Sequence, residues 1–375
     1  MQLGLYAHPF DAPDFAGLHA LGYRELALAS AYHAGRWLVP RAGAGLVRFL
    51  EDGIVHAATG RLAGTLQPEP SSTPHFAALA AAAAAHGFAV SAWTVFCHNS
   101  RLGRLHPDAC VRNALGDVYR YALCPARREV REYVLGLARA LAAIPGVTTL
   151  ECEALGWMGH KHGSHHDKSS FTPDAHLDFL LSYCFCDVCT AVVGAGARAR
   201  VAELLHARLV AADALQDARL PVAQLAADLG AAYPQMLGHR AEVYARLLRD
   251  LRAAVPAAVR LALHVQPDPH FTGSQLGAPL AAVGGLVDEC VLTSYGESAE
   301  QIEASWQRLD PAGAKVRLAI WPKAPHFRSE EDLRRVQHAA AGKGAVGLRI
   351  YHLSLLPERT VARVARTLHL HGCGP

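Results

Sequence analysis

Apolar residues recur along this chain in two alternating rhythms. Short runs with strand character lie at 3–7, 25–29, 88–96, 147–154, 261–265, 287–293, 316–321 and 346–351. Between them, apolar side chains return every three to four positions. The clearest case is 128–143, where Val130, Tyr133, Val134, Leu137 and Leu141 share one helical face. Further helices are predicted at 14–21, 276–283, 298–308, 329–341 and 357–369. Another is expected to open at Ser72-Thr73-Pro74, with proline in the first turn where its missing N–H costs nothing. Eight strand–helix alternations predict an α/β fold, a closed (β/α)8 TIM barrel. An open doubly wound sheet is the rival, but the first turn carries neither GxGxxG nor a Walker A sequence. The stretch 191–255 is helical throughout and too long for one crossover, so it reads as a helical insertion after strand four. Residues 1–375 thus read as one barrel domain, with 156–255 supplying a loop, a cysteine cluster and the inserted helices.

Side chains alternate faces along a strand. In the fourth strand Leu150, Cys152 and Ala154 share the face expected to meet the outer helices, which turns Glu151 and Glu153 into the barrel. A carboxylate there must be paired or used. Arg317 and Arg349 alternate onto the inner face of strands seven and eight, so Glu151, the deeper of the two, is expected to reach an inner arginine or contact substrate. Glu153, nearer the mouth, is the candidate catalytic group, because barrel active sites form at the C-terminal strand ends. Those ends carry further polar and aromatic residues: His33, His98, Asn99, His264, Tyr295, Glu297, Trp321 and Tyr351. Singly, each is more often structural. Together, rings beside carboxylates and imidazoles are the composition of a carbohydrate subsite.

Charge and composition narrow the classes. The 375 residues carry 36 basic and 33 acidic side chains, a formal net charge of +3. That balance argues against nucleic acid as a partner. No run approaches the ~18 apolar residues of a membrane span, and the N-terminus has the character of a strand, not of a secretory signal. The nine cysteines are therefore expected to be reduced, in a cytoplasmic protein. Self-association into a homo-oligomer stays open.

Cys184, Cys186 and Cys189 form C-x-C-x-x-C, dense enough to suit tetrahedral zinc better than disulfides. The fourth ligand is expected from Cys124, then Cys97, then a histidine. Such a site would be structural and would staple the loop after strand three to the loop after strand four.

Cys124-Pro125, then Arg131-Glu132-Tyr133 on a helix, then a strand ending in Glu153, then C-x-C-x-x-C, resembles the β-galactosidases of glycoside hydrolase family 42 over roughly 119–205. The resemblance implies that Cys124, Cys184, Cys186 and Cys189 hold one Zn2+, and that Glu153 stands where the family's acid/base lies. Two departures are plain. The family's Asn-Glu is here Cys152-Glu153, and its strand-seven glutamate has no counterpart in Leu318-Ala319-Ile320-Trp321-Pro322-Lys323.

After Glu153 comes a loop with His160, His162, His165, His166, Asp167 and Lys168, expected to overhang the mouth. It could hold a second divalent metal, recognise substrate, or be a solvated loop. The leading functional expectation is a hydrolase acting on a glycoside or another polyhydroxylated small molecule. Glu153 would be the general acid/base, suited to proton donation by the apolar surroundings of Trp93 and Trp157. Glu297, then Asp268, would be the second carboxylate. His33, Arg36, Trp93, His98, Asn99, His165, His166, His264, Tyr295, Trp321 and Tyr351 would bind substrate. The alternatives are a metal-dependent barrel isomerase, epimerase or lyase, and a catalytically inactive sugar-binding barrel.

Overall fold

Every apolar run becomes a strand, and the eight run parallel. The computed structural model describes residues 1–11, 13–40, 46–72, 75–162, 168, 173–211 and 222–369. The strands are β1 Gln2–Ala7, β2 Glu25–Tyr32, β3 Ala89–Val95, β4 Val147–Glu153, β5 Arg260–Gln266, β6 Glu289–Ser294, β7 Val316–Ile320 and β8 Gly347–Ile350. Each pairs with its successor, and β8 returns to β1 in the register Gln2↔Gly347 to Leu5↔Ile350. The barrel therefore has no free edge between its first and last strands, and the fold is a (β/α)8 TIM barrel.

Outside it lie α1 Phe15–Ala20, α2 Phe76–Ala85, α3 Arg128–Ala142, α4 Ala175–Ser182, α5 Asp187–Val193, α6 Ala195–Ala211, α7 Val222–Leu229, α8 Ala232–Ala254, α9 Leu280–Val283, α10 Ala299–Arg308, α11 Glu330–Gly342 and α12 Glu358–His369. Their starts follow local chemistry. The Asp14 carboxylate accepts from the backbone N–H of Gly17 at 3.0 Å, and Ser298 and Ser329 form capping boxes with Gln301 and Asp332. On α3, Val130, Tyr133, Val134, Leu137 and Leu141 are all buried.

Two expectations change. The helix read at 276–283 is mostly not one: Leu276–Gly277 adds a short parallel strand beside β5, and only Leu280–Val283 is helical. Gly277 is pressed against backbone there, since a Cβ would lie 2.6 Å from Phe271 O, and Pro279 cannot continue a helix from its N-terminal side. The helix expected to open at Ser72-Thr73-Pro74 instead starts at Phe76 with His75 as its cap; Thr73 and Pro74 lie outside the described residues. The polar connection after β2 holds an antiparallel hairpin, Gly35–Leu38 with Val47–Leu50. The insertion after β4 carries helices α4 to α7 around a small apolar cluster of its own, including Phe179, Tyr183, Phe185, Leu205 and Met236, while α8 packs on α3.

The barrel floor is ionic rather than apolar. Glu25 of β2 accepts from Arg317 Nη2 at 2.9 Å and from Arg349 Nη2 at 3.1 Å. Arg317 also donates to Glu289 of β6, at 3.2 Å through Nη2, and Arg349 to Glu151 of β4. Both guanidinium groups are buried. Burial alone would raise Glu25, yet Arg349 and Arg317 hold it below the usual carboxylate range.

Space for these groups comes from glycine. A Cβ on Gly347 would overlap the Arg317 guanidinium and sit 2.7 Å from Gln2 O. Gly347→Ala should therefore lower the unfolding free energy by about 1–3 kcal/mol, read as an earlier urea midpoint at unchanged slope. A midpoint equal to wild type would refute this packing.

Candidate active site

Strand alternation on β4 sets two carboxylates one layer apart. Glu151 is fully buried and fully engaged. It pairs with Arg349, accepts the Tyr6 hydroxyl at 2.6 Å and meets His264 Nε2 at 2.9 Å. A group so enclosed is part of the floor, and the expectation that Glu151 contacts substrate is corrected. Glu153 is different: its side chain is 13% exposed, enough to reach a ligand. The Trp93 indole N–H donates to Glu153 Oε2 at 2.7 Å, and His264 Nδ1 lies 3.9 Å from the same oxygen. Burial pushes His264 down, with Glu153 opposing it in part, so the ring is neutral at pH 7. Nε2 faces the Glu151 carboxylate and Nδ1 faces Glu153. Ala154, next in the chain, has φ 54°, a region disfavoured for residues with a Cβ.

Rings wall this carboxylate. Tyr6 and Tyr32 pack on Trp93 with centroids at 4.7 and 4.9 Å. Tyr32 and Tyr351 share a hydroxyl hydrogen bond of 3.1 Å. Tyr295 and Trp321 lie 4.5 and 5.4 Å from Tyr351. Burial holds the Tyr6, Tyr32, Tyr295 and Tyr351 phenols above their ordinary value, so they are neutral. Lys323 Nζ sits 3.1 Å from the Trp321 ring centroid. Apolar ring faces with hydroxyl edges, next to one accessible carboxylate, can cradle a sugar and deliver a proton.

The remaining candidates are distributed around this centre. His33 and His98 have ring centroids 5.0 Å apart, and His162 lies 6.1 Å from His98. Burial, then His33 and His162, pushes His98 well below the usual imidazole range. Glu297 and Asp268 line one open groove beyond the ends of β5 and β6, with Gln275 and Tyr295. Asp268 Oδ1 accepts both the His270 backbone N–H at 2.9 Å and Nδ1 at 3.0 Å. His160 Nδ1 pairs with Asp178 at 2.6 Å. His165, His166 and Asp167 lie outside the described residues.

Three placements correct the sequence reading. Asn99 caps the short helix Ser100–Leu105: its Oδ1 accepts from Leu102 N at 2.8 Å, and the residue is 3% exposed. Arg36 is exposed on the hairpin, whose inward cross-strand pair is Trp37 with Arg48. Trp157, although four residues from Glu153, turns away and donates its indole N–H to Cys124 Sγ at 3.2 Å. Conversely, Tyr6 builds the site without having been singled out for it, although alternation in Leu3-Gly4-Leu5-Tyr6 already turns Tyr6 inward.

Cys124, Cys184, Cys186 and Cys189 are buried, with all four sulfurs within 4.8 Å of one another. Cys124 Sγ lies 3.7 Å from those of Cys184 and Cys189 and 3.8 Å from that of Cys186. Four sulfurs about 2.3 Å from one zinc stand about 3.8 Å apart at the edges of a tetrahedron, so the donor set fits that ion. Among the described residues no other group of His, Cys, Asp or Glu converges in this way. Cys97, the second choice for fourth ligand, is also buried but does not join this group.

No protein-family model matches the chain, and no curated protein matches it in sequence. Solved structures do. The chain is similar to a β-galactosidase from the psychrophilic Marinomonas ef1, at 12% identity and TM-score 0.56, over 98% of this chain and 59% of that one. It is also similar to the catalytic domain of a β-amylase from Paenibacillus polymyxa, at 10% identity and TM-score 0.55, over 96% and 94%. A family 42 β-galactosidase from G. stearothermophilus follows at 12% identity and TM-score 0.52, over 98% and 56%. The chain thus spans little more than half of either galactosidase. At such identity the likeness is one of fold. Among the described residues no single helix is long and apolar enough to cross a membrane.

The two carboxylates of β4 should separate in stability. Glu151→Gln leaves the buried Arg349 short of a partner and should cost about 3–5 kcal/mol. Glu153→Gln, facing the opening, should change stability by less than about 1 kcal/mol. Paired denaturation curves test this, and equal losses would contradict the assignment of floor and mouth.

Proposed function

We propose that the protein is a glycosidase-like hydrolase acting on a carbohydrate or related polyhydroxylated molecule. The observation that carries the reading is the accessible carboxylate of Glu153, fixed by the Trp93 indole inside a wall of tyrosines at the C-terminal mouth of the barrel. The galactosidase and amylase names of the structural neighbours agree with that class of substrate.

In this mechanism a sugar ring lies on the aromatic wall. The Glu153 carboxyl gives its proton to the glycosidic oxygen as the bond to the anomeric carbon breaks. A second carboxylate takes a proton from the attacking water, or attacks the carbon itself. Glu297 is the better candidate, since Asp268 already binds His270 through Oδ1. The aligned hydroxyls of Tyr32 and Tyr351 would bind sugar hydroxyls, while His264, buried beneath Glu153, would position that carboxylate. His33, His98, Tyr295 and Trp321 would complete the subsite.

Cys124, Cys184, Cys186 and Cys189 would hold a structural zinc. The ion would tie the loop after β3 to the insertion after β4, and so fix the β4 loop from both sides. Zinc analysis should return one equivalent per chain for wild type. Cys186→Ala should retain none and melt at a lower temperature. Metal-free wild-type protein with an unchanged melting point would refute the site.

The catalytic assignment has its own test. Glu153→Gln should lower kcat/KM on unactivated glycosides by about 10²–10⁴-fold. The loss should be far smaller on dinitrophenyl glycosides, whose leaving group departs without a proton. A uniform loss across leaving groups, or none, would overturn the role of Glu153 as acid.

A further inference from the structure

A second polar concavity adjoins the aromatic wall, and the mechanism above does not use it. It is a groove of about 840 Å³ beneath the Gly35–Leu38/Val47–Leu50 hairpin, lined among others by His8, Phe10, Tyr32, Arg48, His56 and His75. His8 follows β1 directly and continues the inward face of Gly4 and Tyr6. It is only 3% exposed, yet neither of its ring nitrogens has a hydrogen-bond partner among the described residues. Buried polar atoms are rarely left so. Arg48 lies with its guanidinium carbon 4.5 Å from the Phe10 ring centroid, and its buried Nε is likewise without a partner. The His8 and His56 rings stand 4.5 Å apart.

The carboxylates near these groups are engaged or turned to solvent: Asp11 accepts the His8 backbone N–H at 2.7 Å. Burial, then His56, His352 and Arg48, pushes His8 well below the usual imidazole range, and burial brings His56 down to about 4. Two carboxylates border the groove, but Glu69 is already paired with Arg101, and Glu51 is exposed. A cavity with a guanidinium whose buried Nε has no partner among the described residues, beside the unpartnered His8 ring, offers donors to a negatively charged acceptor. Among the described residues its histidines join no converging group of metal ligands. Its position matters equally. Tyr32 belongs both to this groove and to the wall beside Trp93, the residue that holds Glu153.

We propose that this groove is an anion subsite, with Arg48 and His8 binding an oxyanion substituent of the sugar held at Glu153. The substrate class is therefore an acidic sugar carrying a carboxylate, sulfate or phosphate. This rests on the hydrolase reading and extends it from chemistry to specificity.

The test is calorimetric binding, with glucuronate and galacturonate compared against glucose and galactose, and with inorganic sulfate and phosphate as separate arms. Wild type should bind at least one uronate about tenfold or more tighter than its neutral parent. Arg48→Gln should abolish that preference, Arg48→Lys should keep part of it, and both should melt with wild type. Glu153→Gln should keep the preference in full. Free sulfate or phosphate binding as tightly as the uronates would mean that the groove takes a free anion, and would overturn the sugar assignment. If wild type hydrolyses neutral aryl glycosides while folded Arg48→Gln leaves the binding of every ligand unchanged, the subsite fails and the hydrolase reading stands. If the uronate preference depends on Arg48 but no glycoside is turned over, the subsite stands and the hydrolase reading fails.

Discussion

Two arginines and three glutamates share the closed interior of this barrel, and the rest of the site is stacked on them. Arg317 and Arg349 reach across from β7 and β8 to Glu25, Glu289 and Glu151 on three other strands. Moving such charges out of water is costly, and each is tolerated only because its partners are in place. The geometry is correspondingly rigid: a guanidinium with two carboxylates has few alternative positions. Most barrels fill this layer with branched apolar side chains. Here the layer is ionic, and glycine at 347 and at 4 gives the arginines room.

That floor divides the chemistry between neighbouring residues of one strand. Glu151 is consumed by Arg349, Tyr6 and His264, and each of these contacts also orients its partner. His264 is turned so that its other nitrogen faces Glu153. Tyr6 is held upright beneath Trp93, and Trp93 in turn holds Glu153. An accessible carboxylate is thereby positioned by a chain of contacts that begins at a buried ion pair. Two residues along a β-strand are enough to pass from a structural charge to a usable one.

Much of this was legible because period-two alternation is a strong signal where it separates charged from apolar residues. In Leu150-Glu151-Cys152-Glu153 only one register is physically tolerable, and it fixes both carboxylates at once. The cysteine spacing was equally explicit. What stayed hidden depended on contacts distant in sequence. Nothing near Trp157 says that it turns toward Cys124 rather than toward Glu153. Asn99 looked like a ligand because it ends a strand, though an asparagine three residues before Leu102 is also a ready N-cap. The hairpin was missed because its strands are four residues each and carry Gly and Arg, so neither rhythm persists long enough to register. That omission exchanged Arg36 for Arg48, one turned outward and the other inward.

The hairpin follows β2 and the insertion follows β4, the two neighbours of β3, and they bring different kinds of order. On the β4 side, four sulfurs and the Trp157 indole gather the loop after β3 and the start of the insertion around one buried point. On the β1–β2 side, the hairpin folds Trp37 against His8 and His352, with ring centroids at 5.7 and 4.7 Å, and leaves a polar hollow beneath it. A barrel of this kind offers one reacting position, set by strands that cannot move without breaking the ionic floor. What that position accepts is set by whatever the loops place around it. The strand-borne groups here are a carboxylate and tyrosines, which suit many sugars. The groups on the hairpin side include Arg48, His8 and His56, and on the proposed hydrolase reading that side is where discrimination among sugars arises.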